Sequence, residues 1–324
     1  LRTSSFMLSL MAKTEVTIVI PGLAAIVSQA INRDAIPFYL SKIIRKANYI
    51  PNEMGLSRCL FNNFSDKPLV GTDLPIADLI ATRGQELLLH ADPCYLHPDR
   101  DRLLLFSKGL DLTKKESAEL IKGIEPLLHE LGSISEQSHE SWLLKLLAKP
   151  SVNFYALDEV EGKDVEAYLP SGQDRQQWIC LWNEIQMQLY NSEVNTRRMA
   201  NNQLPINSIW FWGQGGEFSP MTTSWSSISG QSALLTKLVE RTGHEASYNS
   251  SSNSLQFSKG RHLLLLKEVN TELDWQRQLQ IMDTKVFEPL WQQISKMAIN
   301  KLILQVPGFG EYHQTPIRCW QFWL

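Results

Sequence analysis

NSEVNTRRMANNQLPINSIWFWGQGG, from Asn191 to Gly216, is the stretch on which the fold turns. Its second half reads as a strand: Ser208 to Trp212 (SIWFW) is aromatic and aliphatic on both alternating sides and runs into Gly213-Gln214-Gly215-Gly216. That pattern predicts a strand buried on both faces, as in a parallel sheet covered by helices. Trp210 and Trp212 could stack a ligand, or simply fill the two faces. Backbone amides of the glycine-rich exit could cradle a phosphate. The run matches neither the dinucleotide fingerprint nor the Walker pattern, and a tight strand exit explains it equally well. The first half carries Asn195, Arg197 and Arg198 just after a helix. A pair of arginines suits bidentate phosphate binding, and it suits equally the tying of a helix end to the next loop.

Working outward, Val16 to Ile20 (VTIVI) meets Pro21-Gly22, Arg261 to Val269 is apolar, and Lys301 to Val306 (KLILQV) meets Pro307-Gly308; each reads as a strand. Helical spacing runs over Pro37 to Ala47, Leu74 to Gly84, Asp174 to Tyr190, Ser232 to Thr242 and Trp275 to Met297. This alternation predicts an α/β protein with a mostly parallel sheet flanked by helices. Between these elements the texture changes. Glu86 to His90 and Leu103 to Phe106 read as a hairpin joined by a turn-rich connection, Asp92 to Asp101 (DPCYLHPDRD). A helix over about Thr113 to Leu131 and strands at Trp142 to Ala148 and Asn153 to Leu157 follow. The expected division is a core over 12–84, a small α+β insert over 85–165, and the rest of the core over 166–324.

The chain has 324 residues, 43% hydrophobic and 20% charged, with a formal net charge of -3. Such a composition belongs to a folded globular protein and gives nucleic acid or an anionic membrane no electrostatic handle. The four cysteines, Cys59, Cys94, Cys180 and Cys319, form no CxxC pair and read as reduced thiols of a cytoplasmic protein. The apolar run Phe6 to Met11 is shorter than a secretory signal requires, and no window reaches the length of a membrane span.

In parallel sheets, ligands bind outside the carboxyl ends of the strands. Those ends here offer proline, glycine and amides, with Glu268, Asp274, Glu311 and His313 as the nearby ionisable groups. Their spacing matches no metal motif, so solvated loop ends are the plainer reading. The densest polar cluster is His90, Asp92, His97, Asp99 and Asp101, either a small metal or anion site or a polar hairpin bend. No GxSxG elbow is present, and Ser219 and Ser224 have no evident base.

The order Leu169-Pro170-Ser171-Gly172, a helix, then Val194-Asn195, Arg198, Leu204-Pro205, Asn207 and Ile209 to Gly215 resembles the archaeal-type cofactor-independent phosphoglycerate mutases. Weaker likeness extends over Val16–Ile20, Ala35–Ala47, Pro75–Ala81, the hairpin at Asp92–Phe106, Thr236–His244, Leu263–Leu290 and Leu302–Pro316. The resemblance implies an alkaline-phosphatase-like sheet with one α+β inserted domain and a two-metal phosphate chemistry. This sequence departs from that family where the chemistry sits. Pro21 stands where the first strand of the family ends in a metal-binding Asp, and Ile36 stands where a hydroxyl nucleophile precedes Pro37. VNTELDWQ, from Val269 to Gln276, lacks the histidine, and Val306 to Pro316 has lost an Asp-His pair, although His313 remains.

Ala91–Phe106, Leu169–Gly172, Glu184–Tyr190, Val194-Asn195 and Leu204–Gly216 carry a likeness, spanning most of the chain, to the RpfE-type regulatory proteins of bacteria, which it also resembles and which are relatives of those mutases. Together the resemblances imply a catalytically degenerate, regulatory protein with no cofactor. It would bind a small phosphorylated or acidic ligand, or a protein partner, through Asn195, Arg197, Arg198, Gly213, Gln214 and Gly215. The alternative is a phosphomonoester hydrolase or phosphomutase with relocated residues. His313 and Glu311 would then be catalytic, and His90, Asp92 and His97 would hold a single manganese or zinc ion.

Overall fold

The computed structural model describes residues 13–28, 36–69, 71–80, 87–215, 225–245, 248–249, 255–270 and 274–319. The run Phe6 to Met11, the residues Gly216, Ser219 and Ser224, and part of VNTELDWQ lie outside the described residues. The chain forms two compact units: Leu1–Lys67 with Pro220–Leu324, and Pro68–Ser219. The first unit starts with β1 (Thr14–Val19), helix α1 (Phe38–Lys46) and β2 (Asn48–Pro51). The second holds β3 (Leu87–Asp99), β4 (Arg102–Phe106), α2 (Lys114–Leu128), β5 (Gly132–Ser138), β6 (Ser141–Leu146), β7 (Val152–Asn153) and β8 (Ser171–Gly172). It ends with α3 (Arg175–Tyr190), α4 (Glu193–Ala200) and β9 (Ser208–Trp212). The first unit resumes with β10 (Ser227–Ser229), α5 (Ala233–Thr242), β11 (Tyr248–Asn249) and β12 (Gly260–Leu265). It closes with α6 (Trp275–Met282), α7 (Glu288–Ser295), β13 (Lys301–Val306) and β14 (Gly310–Gln314).

The sheet of the first unit has the order β11-β10-β12-β1-β13-β14-β2. Its first five strands run parallel, and β14 is antiparallel to both neighbours. β1 sits centrally because it is apolar on both sides. Val16, Ile18 and Ile20 pack with Leu302 and Leu304 of β13 against Leu40 and Ile43 of α1 and against Leu279, Leu290 and Ile294. The helix expected over Trp275–Met297 is interrupted by a π-helical turn, Asp283–Phe287. Pro289 follows and has no N–H to return to the preceding turn, so the i→i−4 ladder cannot run on unbroken. The hairpin from β13 into β14 was not marked in the sequence. It corrects the placing of Glu311 and His313: both lie along an antiparallel strand, not in a loop at the carboxyl tip of β13.

The second unit is wider than the expected insert of 85–165, and its sheet is antiparallel throughout. The decisive difference is β9. SIWFW is buried at all five positions, as expected, but it pairs with β3 in antiparallel register, His90 opposite Trp212 and Cys94 opposite Ser208. A continuous apolar run specifies burial on both faces and says nothing about the direction of the neighbouring strand. β3 is likewise longer than expected. Asp92 to Asp99 continues the strand, and the turn falls at Arg100 (φ 58°). Pro93 and Pro98 are accommodated within it, opposite Ile209 and Leu103. Helix α2 starts on a capping box in which Thr113 and Glu116 satisfy each other's backbone N–H groups. The strand expected at Asn153–Leu157 shortens to Val152–Asn153.

At the exit of β1 the chain turns through Gly22 at φ +81°, and a Cβ there would lie 2.2 Å from the carbonyl oxygen of Val269. Gly22→Ala is expected to lower the unfolding free energy in chemical denaturation by at least about 2 kcal/mol. A neutral effect would show that this turn is not held as described.

Candidate functional site

The glycine-rich exit of β9 does form an anion cradle, and the chain fills it. The carboxylate of Asp73 is buried and accepts Gly213 N–H at 2.8 and 3.0 Å, Gln214 N–H at 2.9 Å and its neighbour Leu74 N–H at 2.8 Å. Gly215 N–H goes to the carbonyl of Leu74 at 3.1 Å. A Cβ on Gly215 would lie 2.4 Å from the carbonyl carbon of Asp73, so only glycine fits there. The expectation that Gly213, Gln214 and Gly215 offer amides to a ligand is therefore corrected: an internal carboxylate already holds those of Gly213 and Gln214. Nothing in the sequence marked Asp73, which lies 140 residues before Gly213.

Asn195 and Arg198 are also committed internally. The Asn195 amide donates to the carbonyls of Leu189 and Ile206 and accepts from Ile206 N–H, each at 2.8 Å. Arg198, 1% exposed, donates to the carbonyl of Leu204 at 2.7 Å, to the carbonyl of Leu110 and to the Glu116 carboxylate at 3.2 Å. Together they staple α3, α4 and the loop before β9 to α2, the second of the two roles open in the sequence. Arg197 is half-exposed and pairs with Glu119. Burial pushes the Glu116 carboxyl upward, but the hydrogen bonds from Thr113 and the charge of Arg198 outweigh it and hold it below its ordinary 4.5.

His90 and Asp92 do come together, on one face of β3. The Asp92 carboxylate accepts Trp142 N–H at 2.9 Å and Trp212 Nε1–H at 2.7 Å, and the His90 ring lies 4.9 Å from that of Trp212. Asp92 and the hydroxyl of Ser141 both contact Nδ1 of His90, at 3.4 and 3.3 Å, while its Nε2 is buried without a partner. His97 lies an odd number of residues along the strand, so it projects from the opposite face and contacts Tyr95. The expected trio does not assemble. Among the described residues no group of three His, Cys, Asp or Glu side chains is placed to share a metal ion. The described cysteines are free thiols; Cys180 is exposed, and burial pushes Cys94 and Cys319 upward, away from the reactive thiolate.

In the first unit, α1 begins directly after Ile36 and Pro37, and no side chain of its own caps it. Asp283, 3% exposed on the π-turn, supplies the cap: it accepts Tyr39 N–H at 3.1 Å and Leu40 N–H at 2.7 Å. The sequence does hold a signal for this, since Leu279, Asp283 and Phe287 share one helical stripe and a charge on a buried stripe needs a partner. Glu311 and His313 lie side by side, Nε2 2.9 Å from a carboxylate oxygen, and the other oxygen accepts from Gln305 at 2.9 Å. At the carboxyl ends of β1, β10 and β12 lies a cleft of about 1110 Å³. Pro21, Ser229, Gly230, Ser232, Leu266, Lys267, Glu268 and Lys285 are among its walls. Among the described residues that line it no histidine appears and Glu268 is the one carboxylate, a donor set that does not by itself fit paired divalent ions.

A mixed α/β chain with a mainly parallel sheet in one unit and an antiparallel sheet in the other is thus defined. No protein-family model matches it. In sequence it is similar to cofactor-independent phosphoglycerate mutases. The 2,3-bisphosphoglycerate-independent enzyme of Methanosarcina mazei is 29% identical over 82 residues, 25% of this chain and 20% of that protein. The probable enzyme of Geobacter sulfurreducens is 27% identical over 124 residues, 37% of this chain and 31% of that protein. The matched stretches therefore span less than a third of these relatives. The solved cofactor-independent phosphoglycerate mutase of Thermoplasma acidophilum aligns over 94% of this chain and 90% of its own, at 13% identity and a TM-score of 0.39. No helix among the described residues is long and apolar enough to cross a membrane.

Asp73→Asn turns one acceptor of the cradle into a donor facing N–H groups and is expected to cost about 1–3 kcal/mol in urea unfolding. An unchanged midpoint would remove the cradle from the account. The stability contributed by Glu116 is full above the ordinary carboxylate value and is lost as the pH falls through its lowered one. Glu116→Gln should flatten that acid limb of an unfolding-midpoint series; an unaltered limb would assign it to other groups.

Proposed function

We propose that this protein is a catalytically degenerate, phosphoglycerate-mutase-like protein that acts by binding, with a regulatory role. Its ligand is a small phosphorylated or acidic molecule held in the cleft of the first unit. The scaffold is alkaline-phosphatase-like and the second unit is its inserted domain, on the strength of the sequence resemblance. The likeness to RpfE-type regulatory proteins supports the regulatory role, and the free, widely spaced cysteines support a cytoplasmic one.

The observation that carries this reading is the start of α1. A hydroxyl nucleophile before Pro37 would work beside the amides of that helix, which would hold the transferred phosphoryl group. Here Ile36 provides no nucleophilic atom, and the amides of Tyr39 and Leu40 are bound to Asp283. A second negative group brought to that point would meet a buried carboxylate. Two independent features thus oppose the same step, and a hydroxyl placed at position 36 leaves the second in place.

Supplied with manganese or zinc, the full chain is expected to turn over neither 3-phosphoglycerate nor p-nitrophenyl phosphate, and Ile36→Ser is expected to stay inactive. Turnover by the unaltered chain would sink the proposal. The contact between Glu311 and His313 favours the alternative, a relocated single-metal site, but supplies two donors only. Stoichiometric metal lost on His313→Ala would decide for it.

A further inference from the structure

Among the described residues, buried carboxylates gather converging backbone amides at two places, and a further helix start lies on the cleft. Asp73 closes the first and Asp283 the second. The further helix start is that of α5. Ser232 caps Leu235 N–H, and the cleft wall runs through Gly230 and Ser232. Lys267 and Lys285 stand on the same cleft, and neither makes an ion pair among the described residues. Glu268, also on the rim, has contacts of its own. Most of the remaining lining is aliphatic, with Gln231 and Ser229 the polar exceptions: Leu56, Leu255, Leu264, Leu266 and Val286 are only partly buried and lend carbon to the cavity.

Charge and carbon lining one cavity select a ligand that carries both. A phosphate gains from two ammonium groups and a helix start. A polyhydroxylated carbon skeleton would surrender water from its hydroxyls to face leucines that cannot replace it, whereas an alkyl or aryl group gains by the same move. We infer that the cleft takes an organic phosphomonoester with an apolar alkyl or aryl group. Its phosphate lies at Lys267, Lys285 and the start of α5, and its carbon lies on the leucine wall. This rests on the proposed binding role of the cleft and narrows it to a ligand class different from a phosphorylated triose acid.

Calorimetric titration of the full chain with inorganic phosphate, 3-phosphoglycerate, butyl phosphate and hexyl phosphate tests it. Affinity is expected to rise with chain length, by up to roughly fourfold per fully buried methylene. Hexyl phosphate should bind at least about tenfold more tightly than inorganic phosphate, and 3-phosphoglycerate no more tightly than inorganic phosphate. The double variant Lys267→Ala/Lys285→Ala, both exposed positions, should weaken hexyl phosphate at least about tenfold, with an unchanged circular dichroism spectrum. Lysine-dependent binding with no gain along the series, or tightest binding of 3-phosphoglycerate, would overturn the apolar inference and leave the binding role standing. Lysine-independent binding of hexyl phosphate would overturn the placing of the phosphate. Binding of none of the four would overturn both.

Discussion

Backbone N–H groups that converge at a turn or a helix start must find an acceptor, and a buried carboxylate must find donors. In this chain the two requirements are met against each other. Asp73 takes the amides of Gly213 and Gln214, and Asp283 takes those of Tyr39 and Leu40. Each contact joins segments far apart in the sequence and fixes the local backbone on both sides. In the second unit it anchors the exit of β9; in the first it holds α1 against the π-turn. The same geometry that would serve a phosphate serves as a structural tie, because a carboxylate is the nearest equivalent the chain itself can provide.

That exchange has a functional side. A phosphate site is worth having only if it is empty when the ligand arrives. Two cradles filled from within cannot contribute, and the proposed binding role therefore falls to a place where cations line a cavity. The cleft at the carboxyl ends of β1, β10 and β12 is such a place, and its position follows from the parallel run of those strands. The buried polar group of His90, Asp92, Ser141, Trp142 and Trp212 is different in kind. It satisfies Asp92 almost completely from two tryptophan-bearing strands and so reads as a specifier of strand pairing in the second unit.

The arginine pair makes the same point at one remove. Arg197 and Arg198 are adjacent in sequence, but successive residues on a helix point about 100° apart, so one is buried under the loop before β9 and the other lies at the surface. Two guanidinium groups next to each other in the sequence are for that reason poor candidates for gripping one phosphate from a helix.

The sequence alone determined the composition of the elements. VTIV and KLILQV are strands and ALLTKLVERT is a helix stopped by Gly243, because apolar period, capping residues and glycine act over a few neighbours. It also determined that Ile36 cannot be a nucleophile and that Pro21 cannot bind a metal, since these are properties of the side chains themselves. Tertiary structure decided the rest. SIWFW read as a parallel strand and became antiparallel, because partner and direction depend on which distant strand, here β3, lies alongside. The amides after it looked open and proved to be held, because Asp73 reaches them only once the chain has folded back. Hydrogen bonds between residues so far apart leave no periodic trace in either segment, and for that reason only the folded chain shows that these amides are already held.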